Sequence, residues 1–225
     1  MLKTLIDNDF VSHYNIHPIH LTATEHVTSQ LEFDLIDEDD ANSPILPKGQ
    51  GYVTLQQSYG QIGILLYDDF YKNIQSPKSI KEGVKHCDFV LSSPNNECIC
   101  LIELTSSTGS VAGLSAPIKN KKHQVIFSRG KYEKAEVQLS DSLKMLTAVQ
   151  TIKTDFDRKH RKICLMAYHI IPYPSSEEQI KRPFSRYLDI ESKMTRDNGA
   201  IISCPDIEQY GFEYRRIGHD YVFTL

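Results

Sequence analysis

The stretch ECICLIELTSS, residues 97–107, constrains the fold more than any other. Cys98, Ile99, Cys100, Leu101, Ile102 and Leu104 are apolar. An extended chain would place them on both of its faces, and such a run belongs to a strand covered on both sides. Glu103 stands inside the run. Taking a carboxylate out of water costs on the order of several kcal/mol unless it is paired, liganded or protonated.

The neighbouring segments offer Glu103 a counterpart. HCDFVLSS, 86–93, reads as a strand, and PNN follows as a turn. With Asn95-Asn96 as the two-residue centre of a hairpin, paired residues have numbers summing to 191. Pro94 then faces Glu97, and Asp88 faces Glu103, with Cβ atoms ~5 Å apart. Two carboxylates directly opposite each other need positive charge between them. A divalent cation answers this economically, because hard cations prefer carboxylate oxygens. Two other readings stay open. Asp88 could face solvent at a strand start, and Glu103 could pair with an Arg or Lys from elsewhere in the fold.

Downstream, residues 106–130 form a long Gly/Ser-rich connection carrying Lys119, Lys121, Lys122, His123 and Arg129. These cations would attract a polyanion without regard to sequence and in a salt-sensitive way. A helix is expected over 131–152, where Ala135, Leu139, Leu143, Leu146 and Val149 recur at helical spacing. Lys131, Lys134 and Gln138 fall within a ~60° sector beside that stripe. KICLMAYHI, 162–170, is a second buried-type strand, ended by Pro172 and Pro174. A helix is expected within 175–198 and a closing hairpin around Gly218. Strand, turn, strand, loop, helix, strand describes an α/β domain whose helix serves as a crossover.

The chain has 225 residues, the size of one domain. It divides into an acidic N-terminal segment (1–50) on or beside the core, a core (51–174), and a C-terminal helix and hairpin decoration (175–225). Residues 1–50 hold nine Asp/Glu against Lys3 and Lys48. Their stretch DLIDEDDANSPILPKGQG lacks calcium-loop spacing and reads as a solvated loop. His13, His17 and His20 would share a helical face, but Pro18 interrupts the helix. Residues 51–74 begin β-like and could turn helical later. The net charge of −4 excludes a histone-like protein, not a local nucleic-acid surface. Five cysteines without framework spacing indicate a reduced, cytoplasmic setting, with Cys98 and Cys100 as small core residues. The opening MLKTLIDNDF shows no signal-peptide h-region, and no run is apolar enough to span a membrane.

An acid on one strand, a hairpin turn, Glu in a buried strand, then a helix and another strand resembles the PD-(D/E)xK nuclease superfamily. The resemblance covers about residues 86–170. It implies a restriction-endonuclease-like core with a mixed central sheet flanked by helices. It also implies a nuclease that hydrolyses phosphodiester bonds, in which Asp88 and Glu103 hold Mg²⁺ or Mn²⁺. Two positions depart from the pattern. Cys87 replaces the Pro before the first acid, and Thr105 stands where the motif lysine should be. Members of the superfamily can supply that lysine from the following helix, which here offers Lys134, or Lys131 one turn earlier. Some members also place a Gln on this helix near the substrate, as Gln138 would be. With Lys119, Lys121, Lys122 and Arg129, the helix residues Lys131 and Gln138 complete the expected nucleic-acid surface, with DNA ahead of RNA. A protein partner or a second copy of the chain is also compatible, and no membrane is expected. Restriction, anti-phage defence or repair would be the setting. The competing readings are a catalytically inactive module of the same fold, which Thr105 favours, and a subunit of a protein complex. Glu25, Glu82 and Asp69 are the candidates for a third acid.

Overall fold

The computed structural model describes residues 2–16, 22–37, 43–74, 84–108, 118–119, 125–126, 130–171 and 196–225. Its centre is the strand read above, β7 (Cys98–Thr108). Antiparallel to it lies β6 (Phe89–Ser92), and parallel to it on the other side lies β10 (Arg161–Ile171). A seven-stranded mixed sheet extends outward from these three. Beyond β6 come β5 (Ile62–Leu66) and β1 (Glu25–Thr28); beyond β10 come β12 (Glu213–Gly218) and β11 (Ala200–Ile201).

Both faces of this sheet are covered, as the apolar run in β7 requires. Ile99 and Leu101 point into a core shared with the helices. These are α1 (Leu2–Leu5), a π-helical turn (Ile6–Phe10), α2 (Val11–His13), α3 (Tyr67–Asn73), α4 (Lys131–Thr147), α5 (Gln150–Asp157) and α6 (Pro205–Glu208). Cys98, Cys100, Ile102 and Leu104 point the other way, into a core shared with a four-stranded sheet. That sheet has the order β13 (Val222–Thr224), β4 (Val53–Gln56), β2 (Glu32–Leu35) and β3 (Ile45–Leu46). The result is a mixed α/β body of three layers, with the large sheet in the middle.

Helix α4 is amphipathic as expected, and buries Ala135, Leu139, Leu143 and Leu146. It stops at Thr147 rather than 152, because Val149 is extended (φ −85°, ψ 110°) and opens α5. Val149 is nevertheless buried, so the apolar spacing runs through a break that it cannot report. Residues 51–74 are β4, β5 and then α3, strand first and helix later.

Three expectations are corrected. The C-terminal segment is not a hairpin. β12 runs parallel to β10 in the large sheet, and β13 runs parallel to β4 in the small one. The turn after Gly218 carries the chain between layers, so both segments keep their apolar faces on the same core. Nor are the two ends of the chain mere decoration. β1 and β12 are strands of the large sheet, and Leu2, Ile6 and Phe10 are core residues. A sheet centred on β7 needs strands beyond β6 and β10, and the chain ends supply them. The 106–130 connection is shorter than expected, since β7 runs on to Thr108. Within that connection β8 (Ile118–Lys119) pairs with β9 (Val125–Ile126). Lys121, Lys122, His123 and Arg129 lie outside the described residues, as do His17, His20, Glu82 and the helix expected within 175–198. His13 is exposed at the end of α2. Among the described residues no helix is long and apolar enough to cross a membrane.

Candidate active site

The turn between β6 and β7 is a four-residue loop, Pro94–Glu97, closed by the Ser93 N–H on the Cys98 carbonyl (3.0 Å). Asn96 alone of its asparagines takes positive φ (59°). The expected two-residue turn is therefore not formed. The four-residue loop has the same midpoint, so the pairing is unchanged. Phe89 faces Ile102, Val90 faces Leu101, Leu91 faces Cys100 and Ser92 faces Ile99, each pair summing to 191. Asp88 lies one residue before β6 and leaves this line: its N–H goes to the carbonyl of Ile102, the partner of Phe89 (3.1 Å), and Cys87 before it packs in the helix-side core although Phe89 packs in the other. The expected Asp88–Glu103 cross-strand pair is therefore not part of the ladder. Glu103 shares parity with Leu101 and belongs to the helix-covered face, and the charge of Asp88 acts on it.

Both acids are buried, Asp88 to 7% exposure and Glu103 to 6%. Asp88 Oδ2 accepts the Leu104 N–H at 2.6 Å. The side-chain amide of Gln138 of α4 works to lower the Glu103 pKa against burial, and it donates to the His86 carbonyl (3.1 Å). Glu103 Oε2 is buried without any hydrogen-bond partner. Burial, and then the charge of Asp37, pushes the Asp88 carboxyl well above its ordinary range, against the pull of the Leu104 N–H. Burial, and then the charge of Asp88, pushes Glu103 up to about 10. Burial thus favours the protonated form of both carboxyls, and the charge of Asp88 adds to this at Glu103.

Around them lies a ring of polar groups that sequence reasoning did not identify. The Asp88 carbonyl accepts the N–H groups of Tyr67 (2.9 Å) and Asp68 (3.2 Å), which fastens the first turn of α3 beside the acids. Asp68 bridges His86 Nε2 and Lys72 Nζ, each at 2.5 Å. Burial works to raise Asp68, but the hydrogen bonds from His86 and Lys72 hold it below the usual carboxylate range. Tyr71 stacks on His86 at 4.4 Å. The third-acid candidates differ from the electrostatic finding. Asp69 and Glu25 do not figure among the charges acting on Asp88 and Glu103, whereas Asp37 and Asp68 do. A signal for Asp68 existed in the acid pair of YDDF at the start of α3. Asp37 had none, because it lies in the stretch that reads as a solvated loop.

The shoulder of α4 is divided. Lys131 Nζ donates to the Ser106 carbonyl at 2.7 Å, tying the helix start to the end of β7. Lys134 is exposed and lines a cleft of about 570 Å³ with Asp68, Lys85, His86, Val137 and Gln138. Gln138 thus lines the cleft and acts on Glu103. Thr105 is half-buried in β7, with the same parity as Glu103. Of the expected nucleic-acid contacts, Lys131 and Gln138 lie along α4, with the expected catalytic Lys134 between them. Lys119 lies in β8, and the rest fall outside the described residues.

The pair fits a divalent cation. Its donors are hard oxygens, one of them orphaned, and the charge they would carry is unbalanced. Among the described residues no three His, Cys, Asp or Glu side chains gather into a complete metal cage, so water or substrate would supply the remaining ligands. Cys98 and Cys100 are buried in the layer facing the small sheet, away from this face. No family model, curated protein or solved structure matches this chain.

Proposed function

We propose that the protein is a divalent-cation-dependent nuclease of restriction-endonuclease-like type, hydrolysing phosphodiester bonds in nucleic acid. The carrying observation is the orphaned, buried Glu103 Oε2, acted on by the charge of Asp88 and by Gln138, the latter lining a cleft that also bears Lys134. An acid so placed destabilises a metal-free fold, and a ligand for it offsets that cost. Asp88 and Glu103 would hold Mg²⁺ or Mn²⁺. Such a cation neutralises a phosphoryl oxygen and lowers the pKa of attacking water.

The remaining work falls to the protein's own groups. Gln138, whose amide works to lower the Glu103 pKa, would favour the charged, ligand-binding form of Glu103. The Leu104 N–H fixes one oxygen of Asp88, leaving the other to face a ligand. Lys134 presents a compact, mobile ammonium toward a phosphate in the cleft, in place of the lysine that Thr105 displaces. Lys119, Lys121, Lys122, Arg129 and Lys131 would add sequence-independent attraction for the backbone. DNA is the preferred substrate class, and restriction, anti-phage defence or repair the setting.

A second reading, a catalytically inactive nucleic-acid-binding module, is favoured by Thr105 together with the engagement of Lys131 on Ser106. Incubation with plasmid DNA, single-stranded DNA and RNA, in Mg²⁺, Mn²⁺ or EDTA, separates the two readings. Cleavage that requires metal and vanishes in Asp88→Ala supports the enzyme. Metal-independent binding without cleavage supports the inactive module.

A further inference from the structure

The segment that leads into Asp88 lies beyond the paired part of the sheet. β6 begins at Phe89, and its ladder to β5 ends at the Leu66–Phe89 pair. Lys85, His86 and Cys87 therefore have no strand ladder to set their path. Side chains of α4 stand in for one. The Lys85 N–H donates to Asp141 Oδ2 (3.1 Å), the His86 carbonyl accepts from Gln138 Nε2 (3.1 Å), and the Cys87 N–H donates to Ser142 Oγ (2.8 Å). Positions 138, 141 and 142 have the i, i+3, i+4 spacing of one helical face, and they grip three consecutive residues. Ser142 is fully buried, and its hydroxyl is itself fixed on the Gln138 carbonyl (2.7 Å). The same helix carries Gln138, whose amide acts on the Glu103 carboxyl. One rigid element thus acts on both acids.

We propose that Ser142 and Asp141 are positioning residues. Through the main chain of Lys85 and Cys87 they set the Asp88 carboxylate where it receives the Leu104 N–H. The consequence for cation binding rests on the reading above; the placement of Asp88 does not. Hydroxyl and carboxylate act here as hydrogen-bond partners of the backbone, so the acceptor matters and the charge of Asp141 does not.

The test uses the full chain, first without metal, following amide exchange by NMR. Ser142→Ala and Asp141→Ala are expected to speed exchange of the Leu104 amide roughly tenfold relative to that of Leu101, the scale of one lost hydrogen bond. Asp141→Asn, which keeps an acceptor, should leave it at the wild-type rate. Ser93→Ala serves as the structural control. It removes a buried serine hydrogen bond at the other end of the same hairpin (Cys98 N–H to Ser93 Oγ, 2.8 Å), and should lower thermal stability without touching Leu104. Mn²⁺ titration then reads the consequence, with binding about tenfold weaker in Ser142→Ala and Asp141→Ala and unchanged in Ser93→Ala. Unchanged Leu104 exchange in both α4 variants overturns the proposal. Wild-type protein that binds no Mn²⁺ overturns the cation reading instead, and the exchange data still decide the role of α4. If Ser142→Ala does not fold, the Asp141 pair carries the decision.

Discussion

At the turn end of the β6–β7 hairpin, Ser93 Oγ receives the Cys98 N–H, and the buried ammonium of Lys159 donates to the Ser93 carbonyl at 2.8 Å. At the open end, Asp88 and Glu103 are both driven toward protonation, the charge of Asp88 acts on Glu103, and Glu103 Oε2 has no partner. The two ends belong to the same pair of strands and lie equally deep. One uses buried polar groups to fix a loop. The other leaves an electrostatic deficit that a fold alone gains nothing from. Buried polar atoms are ordinarily satisfied, and under the proposed function a cation would complete the open end.

Glu103→Gln should break the contrast most completely. Removing one of two carboxylates is expected to weaken Mn²⁺ binding by about 100-fold or more, read by calorimetric titration. The metal-free protein should respond in the opposite direction. The folded-state pKa of Glu103, about 10, lies above its unfolded value. Its contribution is therefore fully present below about pH 4.5 and is lost as pH rises toward 10. In EDTA, Glu103→Gln should be more stable than wild type at pH 8, by about 1 kcal/mol or more, with the gain shrinking toward pH 4.5. Equal stability at both pH values would show that the open end carries no deficit.

Lys134→Ala tests whether the open end acts on substrate. Turnover is expected to fall by roughly 10²–10³ with little loss of substrate binding. Lys134→Arg should rescue poorly, since a planar fork does not replace a compact ammonium. Equal losses in binding and turnover would make Lys134 a backbone contact only.

Ser93→Ala probes the turn end. It strands the buried Cys98 N–H and should cost about 1–3 kcal/mol in denaturant unfolding, with Mn²⁺ affinity unchanged. A change in affinity would mean that the two ends are mechanically coupled.

The smallest effect belongs to the other face of the sheet. The rings of His169 and His219 lie 4.1 Å apart, with Tyr52 against His169 and Asp220 on His219 Nε2. Burial, and then the charge of His169, lowers the His219 pKa, while Asp220 opposes the shift. The folded state therefore favours the neutral ring. That stability is present above about pH 6.5 and is lost as pH falls through the folded-state value, amounting to at most about 1 kcal/mol after solvent screening. His219→Gln should flatten stability between pH 7 and 5 by this amount, measured by thermal unfolding.

Some of this architecture was legible in residue order. A nearly continuous apolar run exposed β7 as doubly covered, and the midpoint at Asn95-Asn96 set the 191 register even though the turn is of another type. The spacing of Ala135, Leu139, Leu143 and Leu146 marked the buried face of α4, and with it the shoulder that carries Lys131, Lys134 and Gln138. All of these are local: the periodicity of a chain reports which of its faces must avoid water.

What covers those faces was decided only by the tertiary structure. Nothing in EYRRIGHDYVFT distinguishes a hairpin from two strands in different sheets, because both bury the same residues. Val149 keeps the helical spacing of apolar positions across a break in the helix. Asp37 and Asp68 reach Asp88 and Glu103 only because β2 and α3 are folded against that end of the sheet, and Coulomb interaction depends on distance in space rather than along the chain. The sequence by itself placed Glu103 inside a buried strand and set the 191 register of the strands before it. Which groups surround Glu103 and Asp88, and that one oxygen is left without a partner, followed from how three layers close over them.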